Sequence, residues 1–180
     1  MERNLTHIAL FAALIAVLGL VPKIDLAAGV PITAQSLGIM LCGTVLGAKR
    51  GALAVLLFLA LVAVGLPLLS GGRGGLGVFA SPSVGFLIGF PIAAFVAGWV
   101  MERTTLPVGY AAAAGSVIGG IAVLYVFGIV GLSIMLGKTL TEAAHISVAF
   151  LPGDTIKVVL AGVITHTLAR LRPNSVLSRA

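Results

Sequence analysis

Asp154 and Lys157 stand three residues apart in Leu151-Pro-Gly-Asp-Thr-Ile-Lys157, immediately before the apolar stretch from Val158 to Leu168. A helix that begins near Pro152 places Asp154 in its first turn, where the helix dipole favours a carboxylate and a proline needs no N–H partner. Lys157 then projects from nearly the same face. Two readings compete. In one, the groups form a mutual ion pair or Lys157 snorkels to the membrane surface. In the other, both face a polar cavity and offer a small ligand an acceptor and a donor. An ionisable residue inside an apolar span marks a functional site by default, which favours the cavity.

Two further segments carry polar groups close to such a site. Five glycines fall within Gly71 to Gly77, in Ser70-Gly-Gly-Arg-Gly-Gly-Leu-Gly77. Glycines free the backbone to place N–H and C=O groups against a ligand, which makes Ser70, Gly72 and Gly74 candidate contacts. Arg73 is the single charge there, and it either reaches an anionic ligand or faces water. Gly29-Val-Pro-Ile-Thr-Ala-Gln-Ser-Leu-Gly38 brings Thr33 and Gln35 to the head of another apolar run. These two either meet a ligand, or serve as a helix cap and an interhelical hydrogen bond.

Other patterns are decoys. Gly72-x-Gly74-x-x-Gly77 matches the dinucleotide fingerprint by letter, but no strand, turn and helix of a soluble unit surrounds it and no acid follows at about 20 residues. Gly137-Lys138-Thr139 looks like the end of a phosphate loop, yet Leu132 stands where the earlier glycine belongs. His7, His145 and His166 occupy three separate segments without ligand spacing, so no metal site is expected. Cys42, alone in an apolar run, reads as a packing residue.

The elements that position these groups are membrane helices. Of 180 residues, 59% are hydrophobic and 9% charged, with a mean hydropathy of +1.21. A water-soluble domain needs more polar surface, so lipid must cover most of the chain. The 11 basic residues give a net charge of +6 but are scattered, which argues against nucleic acid as a partner. Apolar runs occupy about Leu5 to Val21, Ile32 to Ala48, Gly51 to Leu66, Val84 to Met101, Pro107 to Met135 and Pro152 to Leu171. A hydrocarbon core of about 30 Å takes roughly 20 helical residues. The expectation is an all-α membrane protein, one domain over residues 1–180, with six transmembrane helices in one bundle. The first run lacks an obvious small-residue cleavage site and reads as a retained span.

Basic residues accumulate on the cytoplasmic side of helix ends. Arg3, Lys49, Arg50, Arg103, Arg170, Arg172 and Arg179 fall on one side of a six-span layout, against Lys23, Arg73 and Lys138 on the other. Both termini are therefore expected in the cytoplasm. The longer connections, Pro22 to Pro31, Pro67 to Ser83 and Leu136 to Leu151, face outward. Trp99 and Met101 read as an interface anchor, and Glu102 with Arg103 as a solvated turn. Ala9 with Ala13 and Ala12 with Ala16 place small residues on the first span, where another helix can approach closely.

Three outward motifs taken in order, Pro31-Ile-Thr-Ala-Gln35, Gly65-Leu-Pro with the Ser70 to Gly77 loop, and Pro152-Gly-Asp-x-x-Lys157, resemble the BioY family over essentially the whole chain. The resemblance implies the biotin-specific substrate-binding component of an energy-coupling-factor transporter in the cell membrane. It implies a six-helix bundle with an outward cavity closed by outer loops, and no enzymatic activity. Asp154 and Lys157 become the ligand-binding pair. Ala9, Ala12, Ala13 and Ala16 become the face that docks on a membrane coupling subunit, which works with ATP-hydrolysing subunits. Biotin carries a carboxylate, an apolar ring and tail, and a ureido group with two N–H donors and one acceptor. Lys157 suits the carboxylate, and Asp154 or Gln35 suits the ureido N–H groups. The alternatives are a component for another small vitamin, or an intramembrane enzyme using Asp154, which would lack a second acid of complementary role.

Overall fold

Backbone N–H and C=O groups surrounded by hydrocarbon must be satisfied within the chain, and the apolar runs duly form helices. The computed structural model describes residues 2–25 and 30–179. Residues 26–29, inside the first expected outer loop and at the head of the Gly29 motif, lie outside the described residues, and of Arg3 only the backbone is described. Among the described residues there are seven α-helices: α1 (Glu2–Leu18), α2 (Gln35–Leu46), α3 (Ala48–Ala63), α4 (Val84–Arg103), α5 (Val108–Leu136), α6 (Leu140–Val148) and α7 (Leu151–Leu171). α4 and α5 are each long and apolar enough to cross a membrane, and α6 with α7 passes that test as a pair bent by 58°.

α4 is the central helix because its small residues let neighbours approach to backbone distance. A Cβ added at Gly43 of α2 would fall on the Ala94 carbonyl oxygen, and one at Gly85 on the Phe127 carbonyl oxygen and 2.8 Å from the Gly131 Cα. Gly119 of α5 meets the Ala93 carbonyl in the same way. At this crossing α5 widens into a π-helical stretch, Ser116–Val123. A π turn holds more residues than an α turn, so it rotates the faces that follow. Tyr125 comes two residues after its end.

Several connections differ from expectation. Lys49 and Arg50 do not form the loop between the second and third runs; they lie in the first turn of α3. The turn itself is Gly47, at φ +86°, a conformation that costs glycine little. Glu102, expected in a solvated turn, accepts a hydrogen bond from the Ala48 N–H at 2.9 Å and so satisfies one orphan donor of α3. Met101 is fully buried rather than at an interface, whereas Trp99 is half exposed with the Arg103 guanidinium 5.7 Å from its ring centre.

The expected outer loop Leu136 to Leu151 contains α6. Gly137, at φ +61°, ends α5. Thr139 then caps α6, its hydroxyl accepting from the Glu142 N–H at 3.3 Å while Glu142 accepts from the Thr139 N–H at 2.8 Å. The phosphate-loop decoy is thus a helix stop followed by a capping box.

The chain ends in two short 3-10 turns packed beneath the bundle, with Val176 and Leu177 buried. The Ser178 hydroxyl donates to the Thr44 carbonyl, and Arg179 donates to the carbonyls of Thr104 and Leu106. α1 reaches the opposite end with its last turn, where the Ile15 carbonyl meets Gln35. Both ends of the described chain therefore lie at the same end of the bundle.

Candidate functional site

The second apolar run begins at Ile32, but α2 begins only at Gln35. Ile32 is instead paired with Ile24, the two exchanging backbone hydrogen bonds at 3.1 and 2.8 Å. α2 is 12 residues long, or about 18 Å, and the space beyond its N-terminus is left open. There lies a cleft of about 590 Å³ including its mouth, lined by Val30 to Thr33, Gln35, Ser36, Leu69, Arg73, Phe86, Phe90, Leu124, Phe150, Asp154 and Lys157, among others. Its apolar walls with a few convergent polar groups are what small-molecule sites share. Phe86 and Phe150 meet edge to face at 5.6 Å, which stiffens one wall.

α7 starts at Leu151 with its proline in the first turn, so Asp154 occupies the first turn as the motif predicts. Lys157 donates to Asp154 Oδ1 at 2.8 Å, with the two side chains 12% and 8% exposed. The pair is an ion pair and a cleft wall at once; the two readings of the sequence are not exclusive. Its surroundings supply two residues that sequence reasoning missed. Ser36 accepts from Lys157 at 2.8 Å and donates to Asp154 Oδ1 at 3.3 Å. Tyr125 donates its phenolic O–H to Asp154 Oδ2 at 2.8 Å. The signal for Ser36 was its place beside Gln35. For Tyr125 there was no local signal, because the π stretch sets its direction.

A carboxylate has roughly four acceptor sites and an ammonium three donors. Three sites on Asp154 and two donors on Lys157 are used within the cluster. One acceptor site and one donor are left over, in a cluster that is neutral as a whole. Tyr125→Phe removes the donor that orients Asp154 without changing shape. We expect it to weaken ligand binding about tenfold, the effect of one hydrogen bond to a charged group, as read by equilibrium binding.

Gln35 lines the cleft, but its amide is engaged by backbone. Nε2 donates to the carbonyls of Ile15 at 3.1 Å and Leu68 at 3.0 Å, and Oε1 accepts from the Ser70 N–H at 3.0 Å. Thr33 accepts from the Gln35 N–H at 3.3 Å, a side-chain turn at the head of α2. Arg73 lines the cleft with its Nε donating to the Ser70 carbonyl at 3.4 Å. Ser70, Gly72 and Gly74 are not on the cleft wall. Ser70 is buried behind it, Gly72 takes φ +70° in the turn, and a Cβ on Gly74 would fall on the Leu66 carbonyl oxygen. These three shape the loop that carries Leu69 and Arg73. On α1, Ala12 is buried and Ala16 half-buried inside the bundle, whereas Ala9 and Ala13 face outward.

Comparison with known proteins follows this geometry. The BioY family profile matches residues 2–174. A protein of Rhodobacter capsulatus named biotin transporter BioY is 52% identical, over 99% of this chain and the whole of its own length. One of the same name from Rhizobium etli is 53% identical over 90% of each chain. A crystal structure described as the S-component for biotin from an ECF-type ABC transporter superposes with a TM-score of 0.88 at 34% identity, covering 94% of this chain and 92% of the other.

Proposed function

The chain belongs to the BioY family, and from that premise we infer that it takes up biotin as the substrate-binding component of an ECF-type transporter. It is a membrane protein and not an enzyme: relatives along its full length are named biotin transporters, and Asp154 serves to bind rather than as an acid or base. Its partners are biotin, a membrane coupling subunit and the ATP-hydrolysing subunits that drive release. Ala9 and Ala13, exposed on α1, offer the coupling subunit a face that a helix can approach closely.

One observation carries the reading: in a largely buried, neutral cluster, Asp154, Lys157 and Ser36 stand on the wall of an open cleft while Tyr125 holds Asp154 from behind, with one donor and one acceptor to spare. Biotin's ureido group is neutral and presents donors and an acceptor, so it matches this cluster without leaving a net charge buried. Its bicyclic ring and tail fit the phenylalanine-lined walls. Arg73, the other cation on the cleft lining, suits the carboxylate better than Lys157 does, because Lys157 already holds its counter-ion. Thr33 adds a hydroxyl to the cleft lining, and the Ser70 to Gly74 backbone supports the site from behind.

The layout we propose is a single domain over residues 1–180 with six spans, α1 to α5 and α7, in the cell's plasma membrane. Both termini are cytoplasmic and the cleft opens outward. The charge asymmetry supports it, since Lys49, Arg50, Arg103, Arg170, Arg172 and Arg179 gather at the end away from the cleft, as cytoplasmic ends do. Purified chain should retain biotin at one molecule per chain and return it chemically unchanged on denaturation. Failure to retain it, or equal displacement by thiamine, sinks the biotin assignment; recovery of an altered product sinks the binding role.

A further inference from the structure

We propose that Gln35 is a positioning residue that never touches the ligand: its amide latches the turn at residues 69–73 to the ends of α1 and α2, and this latch sets how long bound biotin stays. The inference rests on the reading that the cleft holds biotin.

The three partners of the amide are one N–H and two carbonyls, from segments 20, 33 and 35 residues away. Only one orientation of the amide serves them all, because oxygen must face the Ser70 N–H and nitrogen the carbonyls of Ile15 and Leu68. Gln35 is 2% exposed, so each of these bonds lies where an unmade one is costly. The neighbourhood is shaped around them. A Cβ on Gly19, just past α1, would stand 2.5 Å from the Leu68 carbonyl oxygen and 2.9 Å from Gln35 Nε2. A side chain there would push the loop off the amide.

The latched segment is the part of the loop that builds the cleft. Leu69 and Arg73 exchange backbone hydrogen bonds at 3.0 and 3.2 Å, and Gly72 donates to Leu69 at 2.9 Å. The turn therefore moves as one piece, and Ser70 inside it is the point of attachment. Leu69 and Arg73, on either side of Ser70, line the cleft. Swinging the turn away breaks the Ser70 and Leu68 bonds to Gln35 and removes two wall residues together. The bond from Gln35 to Ile15 remains, so the latch can re-form. The far end of the loop is tied separately, by the Gly75 N–H to the Val62 carbonyl at 2.8 Å, with Gly65 at φ +111° before it.

The test compares wild type, Gln35→Ala and Gly19→Ala in detergent, by biotin dissociation rate and by hydrogen exchange of the amides of residues 69–73. Both variants should release biotin about tenfold faster, the weight of a lost buried hydrogen bond. They should release biotin methyl ester faster as well, by a smaller factor, because the ester draws on Leu69 of the displaced turn but not on Arg73. Exchange at residues 69–73 should rise in both variants even without ligand, while exchange in α4 stays as in wild type. Should Gln35→Ala fail to fold, Gly19→Ala and Gln35→Glu carry the test. Glutamate keeps the acceptor for Ser70 but turns oxygen toward the carbonyls of Ile15 and Leu68. Unchanged exchange of the turn overturns the latch, as does a dissociation rate that stays at the wild-type value for both ligands. If wild type itself retains no biotin, the functional reading fails, yet the exchange data still decide whether the latch exists.

Discussion

Lys157→Ala should abolish measurable retention of biotin, lowering affinity at least about a hundredfold, or roughly 2.7 kcal/mol. The reason is the burial of its partner. Asp154 is 5% exposed, and without Lys157 its carboxylate keeps only the hydroxyls of Ser36 and Tyr125. Breaking a buried pair from one side costs about 3–5 kcal/mol, because the remaining charge is left uncompensated. The uncompensated carboxylate then draws water into the cleft, which spoils the arrangement that meets the ureido group. Asp154→Asn acts from the other side by leaving the ammonium unpaired. Combining Asp154→Leu with Lys157→Met removes both charges, and such replacements are often neutral or stabilising. That double variant should melt near wild type and still fail to bind, which separates the fold from the site.

Arg73→Ala gives a different pattern. It should weaken biotin about tenfold and leave the methyl ester nearly unchanged, since on this reading Arg73 acts on the carboxylate alone. Lys157→Ala should lose both ligands. Titration of each variant with labelled biotin, and competition with the ester, reads this directly. Retention of biotin by Lys157→Ala at wild-type affinity would remove the basis for the site.

Gly43→Ala should lower stability clearly. The added Cβ falls on the Ala94 carbonyl oxygen, 2.8 Å from the Ala97 Cβ and 2.9 Å from the Gly98 nitrogen. None of these is the end of a flexible side chain, so α2 and α4 must move apart. Overpacking a core costs about 1–3 kcal/mol and sometimes more, and here the displaced element is the central helix. Gly77→Ala is the matched control: nothing stands within 4 Å of its Cβ position and its φ is ordinary, so it should change stability by less than about 0.5 kcal/mol. Thermal unfolding in detergent should show a clear drop for the first and none for the second. Equal melting of the two would mean that the crossing of α2 and α4 is looser than described.

What was legible in the residues alone had a short physical range. Hydropathy over roughly 20 residues decides that lipid surrounds the chain. A proline and an acid at the head of the last run decide where α7 starts, and three-residue spacing then brings Lys157 onto the Asp154 face. The capping box at Thr139 and Glu142 and the stop at Gly137 were equally local. They lie in a segment whose position between two apolar runs makes it resemble a loop.

Only the tertiary structure decided what those residues meet. Ser36 and Asp154 are 118 positions apart, Gln35 and Leu68 are 33, and no spacing rule spans such distances. The π stretch turns Tyr125 to Asp154, and a 3.6-residue period has no means of anticipating it. Gln35 looked like a ligand contact because a lone amide in hydrocarbon needs a partner; the fold supplies three from backbone. Ser70, Gly72 and Gly74 looked like the wall of the site and are its scaffold. Composition and local chemistry set which groups must be satisfied. The close approach of helices at glycines and alanines sets which partner satisfies each, because contact at backbone distance leaves a buried polar group few neighbours to choose from.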